Sequence, residues 1–167
     1  MAQAKIKMIP AIHQSDNGTS APQKVSATFI QGAPVKMSAG NLVACGLTSK
    51  SSIEMIAAAS VSNIVGISSG KAKASSTNNL LVHKIQEGME FVGNLVHITA
   101  SSAKVSKVGS TVYLGKPSAD THYGWSLSAP SSTSTVKGII TRLVDPASTV
   151  NGRVQAQVTL GGALSAF

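Results

Sequence analysis

The sequence is short of acidic residues and holds only one cysteine among its 167 residues. The six acids are scattered along the chain, at Asp16, Glu54, Glu87, Glu90, Asp120 and Asp145. The single Cys45 permits neither an intrachain disulfide nor a zinc site built on cysteines. The histidines show no metal-ligand spacing; they are His13, His83, His97 and His122. We therefore expect no enzyme activity, no catalytic residues, no cofactor and no metal site.

Long apolar runs are also missing. The longest, such as residues 55–59, fall far short of the roughly 18 residues that a membrane helix needs. Residues 1–14 contain two lysines but no continuous apolar segment of the kind found in secretory signals. The sequence therefore predicts a soluble protein made inside the cell, with no membrane partner.

The net charge of +8 results from the scarcity of acids more than from clustered bases. The lysines are spread out, and the densest spots are pairs at 5/7, 71/73 and 104/107. A strongly basic balance usually indicates a polyanionic partner. Because no run of five or more bases occurs, we expect mostly solvated lysines and no specific nucleic-acid partner. A nucleic-acid footprint and contact with an acidic protein surface remain as alternatives.

The composition favours strands joined by small-residue turns, with 25 Ser, 12 Thr and 15 Gly. Residues 153–160 alternate cleanly, since Val154, Ala156, Val158 and Leu160 share one face. Further strand patterns occupy residues 25–30, 35–38, 42–46, 61–68, 80–86, 89–92, 95–99, 111–114, 125–127 and 136–144. The sequence predicts an all-β fold, a small β-barrel or β-tulip-like sandwich of about nine or ten short strands. It allows at most one short helix, at residues 49–59, where a serine can cap and three alanines favour helix.

The chain divides into an extended N-terminal arm, residues 1–24, and a β-rich domain, residues 25–167. Four apolar side chains near the start are the candidate contacts to another subunit or to a larger partner: Ile6, Met8, Ile9 and Ile12. A polar, turn-rich stretch at residues 14–22 separates them from the first predicted core strand. We expect the arm to dock on a neighbouring subunit, and a frayed terminus is the alternative.

Several residues in the domain invite a chemical interpretation. His83 and His97 lie in predicted strands, but nothing in their spacing requires a carboxylate partner, so they are expected to be ordinary strand histidines. Residues 66–71, GISSGK, fall short of a phosphate-binding loop by one spacer residue and the following Ser or Thr. Gly66 and Gly138 each interrupt a β-branched strand, which indicates a bulge or a close backbone approach.

The aromatic residues could form a base-stacking platform of the OB type. Phe29, Phe91 and Tyr113 stand in apolar strands and are expected in the core. Tyr123 and Trp125 are flanked by predicted loops and are expected to be partly exposed. A basic OB-like binder of single-stranded nucleic acid is therefore an alternative function.

The order of strand and turn motifs resembles that of the capsid decoration proteins of tailed bacteriophages, also called cement or head-stabilising proteins. The similarity covers roughly residues 27–160. The matching segments are ATFIQGAPV at 27–35, IVGI at 64–67, VHKI at 82–85, MEFVGNL at 89–95, VKGII at 136–140 and, beyond Asp145, VNGRVQAQV at 150–158.

The resemblance implies a β-barrel or β-tulip-like protein, often trimeric, that sits at local three-fold axes on the capsid exterior. It implies the major capsid protein and other copies of the chain as partners, and the virion as location after synthesis in the host cytoplasm. It brings no catalytic residues. The Ser-rich loops and the basic charge depart from the family pattern. A β-domain of a phage tail or baseplate is the nearest alternative.

Overall fold

The computed structural model describes residues 9–10, 18–24, 26–50, 53–56, 64–73, 75–85, 88–96, 105–118, 122–127, 136–144 and 155–160. These residues form an all-β fold of two antiparallel sheets, which confirms the predicted class. One short 3-10 helix, Val105–Lys107, accompanies the strands. The strands are β1 Ile9–Pro10, β2 Gly18–Pro22, β3 Pro34–Ser38, β4 Asn41–Ala44, β5 Leu47–Lys50, β6 Ile53–Ile56, β7 Ile64–Ser68, β8 Asn79–Lys84, β9 Glu90–Asn94, β10 Thr111–Pro117, β11 Gly124–Ser126, β12 Lys137–Leu143 and β13 Gln155–Leu160.

The larger sheet has eight strands in the order β1-β9-β13-β12-β10-β6-β5, with β11 paired to β10. Strand β10 changes partners along its length. Its first residues pair with β12 and its last with β6, while β11 runs along its other edge. A single bridge between Leu95 and Trp125 brings the segment after β9 against β11. One bridge is not a continuous ladder, and the arrangement is sandwich-like rather than a closed barrel.

The smaller sheet has five strands in the order β2-β8-β7-β3-β4, so β7 lies at its centre. Both sheets contribute to one hydrophobic core. The smaller sheet supplies side chains such as Val35, Leu42 and Val82, and the larger sheet supplies side chains such as Phe91 and Leu114. Because the strands of both sheets turn apolar side chains to this shared core, its burial is the main force that holds the sandwich together.

Strand β13 shows the predicted alternation. Ala156, Val158 and Leu160 are buried, while Gln157 and Thr159 between them are half-buried. Its neighbours β9 and β12 bury Phe91 and Ile140 against the same core. The alternation therefore gives this part of the larger sheet one apolar inner face and one polar outer face.

The predicted helix at residues 49–59 is wrong where the structure describes it. Strands β5 and β6 form a hairpin there, with Leu47 opposite Ile56 and Lys50 opposite Ile53. Strand β6 also pairs with the end of β10, where Met55 lies opposite Gly115. Ladder pairing on both edges of β6 overrides the local helix preference, which is a weak contribution by comparison. Residues 57–59 lie outside the described residues.

The part of the chain before residue 31 also differs from expectation. Residues 18–22, interpreted as a turn-rich linker, form β2 and pair with β8 from Gly18↔His83 to Pro22↔Asn79. Residues 26–30, predicted as a strand, belong to neither sheet. They keep the burial pattern of a strand, since Ala27 and Phe29 are buried and Ser26 and Thr28 are exposed. The division into an arm of residues 1–24 and a domain of residues 25–167 stays a prediction.

The two glycines singled out in strands do mark close approaches. Gly66 lies beside a bulge in β7, where Val35 pairs with Gly66 but Lys36 pairs with Ile64. A Cβ added to Gly66 would overlap the carbonyl oxygen of His83. A Cβ on Gly138 would lie 2.5 Å from Val158 Cγ1 and 2.6 Å from the carbonyl oxygen of Thr159. Both sites allow only glycine if the neighbouring strands are to stay paired.

Candidate functional site

Strand β1, which lies in the segment predicted to be an arm, forms one edge of the larger sheet. Strand β1 pairs antiparallel with β9, with Ile9 opposite Val92 and Pro10 opposite Phe91. Of the four predicted contact residues, only Ile9 lies within the described residues, and the structure describes its main-chain pairing with β9. Ile6, Met8 and Ile12 lie outside the described residues. The structure therefore attaches one point of the predicted contact segment to the edge of β9.

A ladder of polar side chains crosses the outer face of the same strands. Gln157 of β13 donates from Nε2 to Glu90 Oε2 on β9 at 2.6 Å, and Thr159 donates to Glu90 Oε1 at 3.0 Å. On the other side, Arg142 of β12 donates from Nη2 to Gln157 Oε1 at 3.0 Å. Gln157 thus links a cationic and an anionic side chain across three strands, which fixes the rotamers on this face.

One apolar side chain stands out among these polar groups. Ile139 of β12 is 49% exposed. The register places it between Thr111 of β10 and Thr159 of β13, and Thr159 in turn pairs with Glu90. The outer face, defined here by Glu90, Val92, Ile139, Arg142, Gln157 and Thr159, therefore combines an exposed isoleucine with ordered polar groups. Because a single exposed isoleucine is common on solvated sheet faces, this face is a candidate contact surface through its position beside β1.

Glu90 is the hydrogen-bond acceptor at the centre of the outer face. Both of its carboxylate oxygens accept hydrogen bonds from neighbouring side chains. Within the described ranges, no three His, Cys, Asp or Glu side chains group as metal ligands would.

A second set of titratable groups lies inside the sandwich. Burial raises the pKa of the Cys45 thiol to about 12, against a smaller opposing effect of Lys36. Burial also raises the pKa of Tyr123, with smaller contributions from Cys45 and Glu54. Glu54 itself forms an ion pair with Lys116. Both the thiol and the phenol are therefore held in their neutral forms near pH 7, which is the behaviour of structural groups rather than nucleophiles.

His83 sits on β8 with its ring half-buried. Its Nδ1 is buried and has no hydrogen-bond partner among the described residues. Desolvation lowers the pKa of His83 below the usual 6.5. The histidine contributes to the packing between β8 and its neighbours in its neutral form, as an ordinary strand residue would. His97 lies outside the described residues.

The lowered pKa of His83 predicts a loss of stability in mild acid. The unfolded chain binds the proton more readily than the folded chain, so the free energy of unfolding falls as pH drops below about 6.5. The loss ends once the pH is below the folded-state pKa. Urea titrations between pH 8 and pH 5.5 should show this fall, and the His83→Gln variant should show a smaller one. Equal pH profiles for the two proteins would contradict the assignment.

The aromatic residues divide differently from expectation. Phe29 and Phe91 are in the core, as predicted, and Tyr113 is half-buried against Val96. The expectation that Tyr123 and Trp125 are partly exposed is wrong, because both are buried and Trp125 is 1% exposed. Trp125 belongs to β11, where it lies opposite Leu114 of β10, and its main chain forms a bridge to Leu95. These four core rings are therefore not available on the surface for base stacking.

The hydrogen bonds from Gln157 and Thr159 to Glu90 could not be predicted from the sequence, because 67 and 69 positions separate the partners. The one available signal was the polar outward-facing half of the β13 alternation.

Comparison with protein-family descriptions, with curated proteins and with solved structures found no match. In the described part of the chain, no helix is long and apolar enough to cross a membrane.

Proposed function

We propose that this protein is a structural virion protein that binds the outside of an assembled phage capsid and stabilises the shell as a homotrimer. The observation that carries the proposal is the pairing of β1 with the edge of β9. A strand of two residues makes few contacts and exchanges readily, and exchange of such an element between protomers is a common route to oligomers. The same edge lies beside the outer face described above.

The resemblance to decoration proteins is the second support for this proposal. Residues 64–67 and 82–85 include parts of the neighbouring strands β7 and β8, and residues 89–95, 136–140 and 150–158 include parts of β9, β12 and β13. The remaining motif, residues 27–35, begins outside both sheets and ends in β3. The positions of the motifs are a likeness of fold, and the capsid role is proposed from the resemblance itself.

The experiment combines light scattering with co-sedimentation. The purified protein should scatter as a trimer of 17.0 kDa chains and should pellet with undecorated particles. A monomer at high concentration that leaves the particles bare would overturn the proposal. A trimer that pellets with isolated tails or baseplates instead would support the tail or baseplate alternative.

The OB-like alternative now has less to support it. Its stacking platform would need exposed aromatic rings, whereas Phe29, Phe91, Tyr123 and Trp125 are buried. Weak DNA binding that moderate salt abolishes is expected of any protein with net charge +8. Tight single-strand binding at physiological salt would be the result that revives this alternative.

A further inference from the structure

The segment of residues 27–30 has the side-chain pattern of a strand but belongs to neither sheet. Buried Ala27 and Phe29 alternate with exposed Thr28. Three of its main-chain groups are already bonded, since the Ala27 N–H donates to the Lys24 carbonyl at 2.9 Å, and the carbonyls of Phe29 and Ile30 accept from the N–H groups of Ala72 at 2.9 Å and Ala33 at 3.2 Å. Among the described residues, no hydrogen bond to the main chain of Thr28 is present. Thr28 therefore offers its N–H and its carbonyl to another strand.

A groove runs beside this segment. Its volume is about 480 Å³, and its lining residues are Ala27, Thr28, Phe29, Lys71, Ala72 and Lys73. The buried Ala27, Phe29 and Ala72 give it an apolar floor, while Lys71 and Lys73 are exposed at its rim. Among the lining residues that the structure describes, none is acidic. The volume is within the range of ordinary binding clefts.

The walls of the groove are held in place by a buried glutamine. Gln23 has no exposed surface, and its Oε1 accepts a hydrogen bond from the Lys73 N–H at 3.0 Å. Its Nε2 donates to the carbonyl of Ser76 at 2.8 Å and also to the carbonyl of Lys73. These bonds, together with the bond from the Ala72 N–H to the Phe29 carbonyl, hold the loop that carries both rim lysines in place before the groove is occupied, which reduces the entropy lost on binding.

We infer that this groove binds an extended, acidic segment of a partner protein that pairs with the main chain at Thr28. The two rim lysines supply charge complementarity to carboxylates, and the small apolar floor accepts the aliphatic side chains that alternate with them. A second copy of this chain is a poor occupant, because its N-terminal segment carries Lys5 and Lys7 and its net charge is +8. A nucleic acid is also disfavoured, since the ring of Phe29 is 3% exposed and cannot stack on a base.

The inference does not depend on the capsid proposal, because it concerns the chemistry of the groove and not the identity of the particle. The probe is a fluorescein-labelled peptide, SDVEVDVES, in which acidic and apolar residues alternate. Fluorescence anisotropy with the full chain at low salt should show saturable binding that weakens as salt is added. The charge-reversed peptide SKVKVKVKS should bind at least tenfold more weakly.

Two pairs of controls identify the groove and the strand pairing. The Lys71→Glu, Lys73→Glu double variant should lose at least tenfold in affinity, whereas the double variant Lys107→Glu, Lys137→Glu, with the same change in net charge, should bind as the wild type does. Two further peptides carry N-methyl groups on the odd or on the even residues. Because an added strand uses alternate N–H groups, one of them should bind at least tenfold more weakly than the other.

Four outcomes would overturn the inference. The first two are equal affinity for the acidic and the charge-reversed peptide, and an equal loss of affinity in the two double variants. The other two are equal affinity for the two N-methylated peptides, and tighter binding of an oligothymidylate than of the acidic peptide. The last outcome would assign the groove to nucleic acid. Absence of binding by wild-type protein that is folded by circular dichroism would also reject it. Failure here leaves trimer formation and particle binding unaffected, so the two proposals are tested separately.

Discussion

Replacing Gly66 by alanine should prevent stable folding. The new Cβ would overlap the carbonyl oxygen of His83, lie 2.7 Å from its carbonyl carbon and lie 2.8 Å from Val82 Cγ1. Two of these atoms are backbone, so no side-chain rotation relieves the overlap. Strands β7 and β8 would have to separate in the middle of the smaller sheet. We expect a loss above about 4 kcal/mol, which is a large share of the roughly 5–15 kcal/mol that stabilises an ordinary domain.

The measurement is urea unfolding followed by circular dichroism, with Gly70→Ala as the matched control. A Cβ on Gly70 would meet only Leu80 Cδ2, at 3.3 Å, and a leucine methyl at that distance can move. The control should therefore unfold within about 1 kcal/mol of the wild type. A Gly66→Ala protein as stable as the control would show that β7 and β8 do not pack as described.

Strands with regular alternation could be predicted from the sequence because their signal is local. In β13 the buried Ala156, Val158 and Leu160 occupy every second position, and the pattern alone places them on one face. The close approach at Gly138 was predictable for the same reason, since a glycine within a β-branched run needs a cause.

The pairing of distant segments could not be predicted in the same way. Strand β6 pairs with β10 through Met55↔Gly115, and β2 pairs with β8 through Gly18↔His83. Each partner is about sixty residues away, so the local composition indicated a helix in one place and a linker in the other. Segment 26–30 shows the opposite case. Its alternation correctly predicts which side chains are buried. It does not reveal that, among the described residues, the main chain of this segment pairs with no strand.

The outer face illustrates the same limit on prediction from sequence. The Glu90, Gln157 and Arg142 side chains meet because β9, β13 and β12 are neighbours in register, and register depends on the whole sheet. The sequence indicated an apolar N-terminal segment and a polar strand face separately. Their proximity at the edge of β9 became evident only with the pairing of β1.

Two N-terminal truncations should separate attachment from folding. Removing residues 1–17 deletes β1 but leaves β2 intact, so the sandwich should stay folded. Loss of the four candidate contacts Ile6, Met8, Ile9 and Ile12 should weaken trimer formation and particle binding. Burial of one such side chain contributes about 1.5–3 kcal/mol. Ordering the arm opposes this at about 1–2 kcal/mol per residue, so the effect per subunit is modest and accumulates over the trimer.

Removing residues 1–22 should have a different and larger effect. It deletes β2, whose five residues pair with β8 from His83 to Asn79, and leaves that edge of the smaller sheet uncovered. We expect this protein to unfold or aggregate, because an uncovered strand edge and its buried face are exposed to water together. Circular dichroism reports folding, and light scattering and co-sedimentation report assembly. If the protein lacking residues 1–17 assembles as well as the full chain, the N-terminal contacts are not the attachment. If the protein lacking residues 1–17 unfolds, those residues belong to the domain itself, because β1 then supports the edge of β9 as an integral strand.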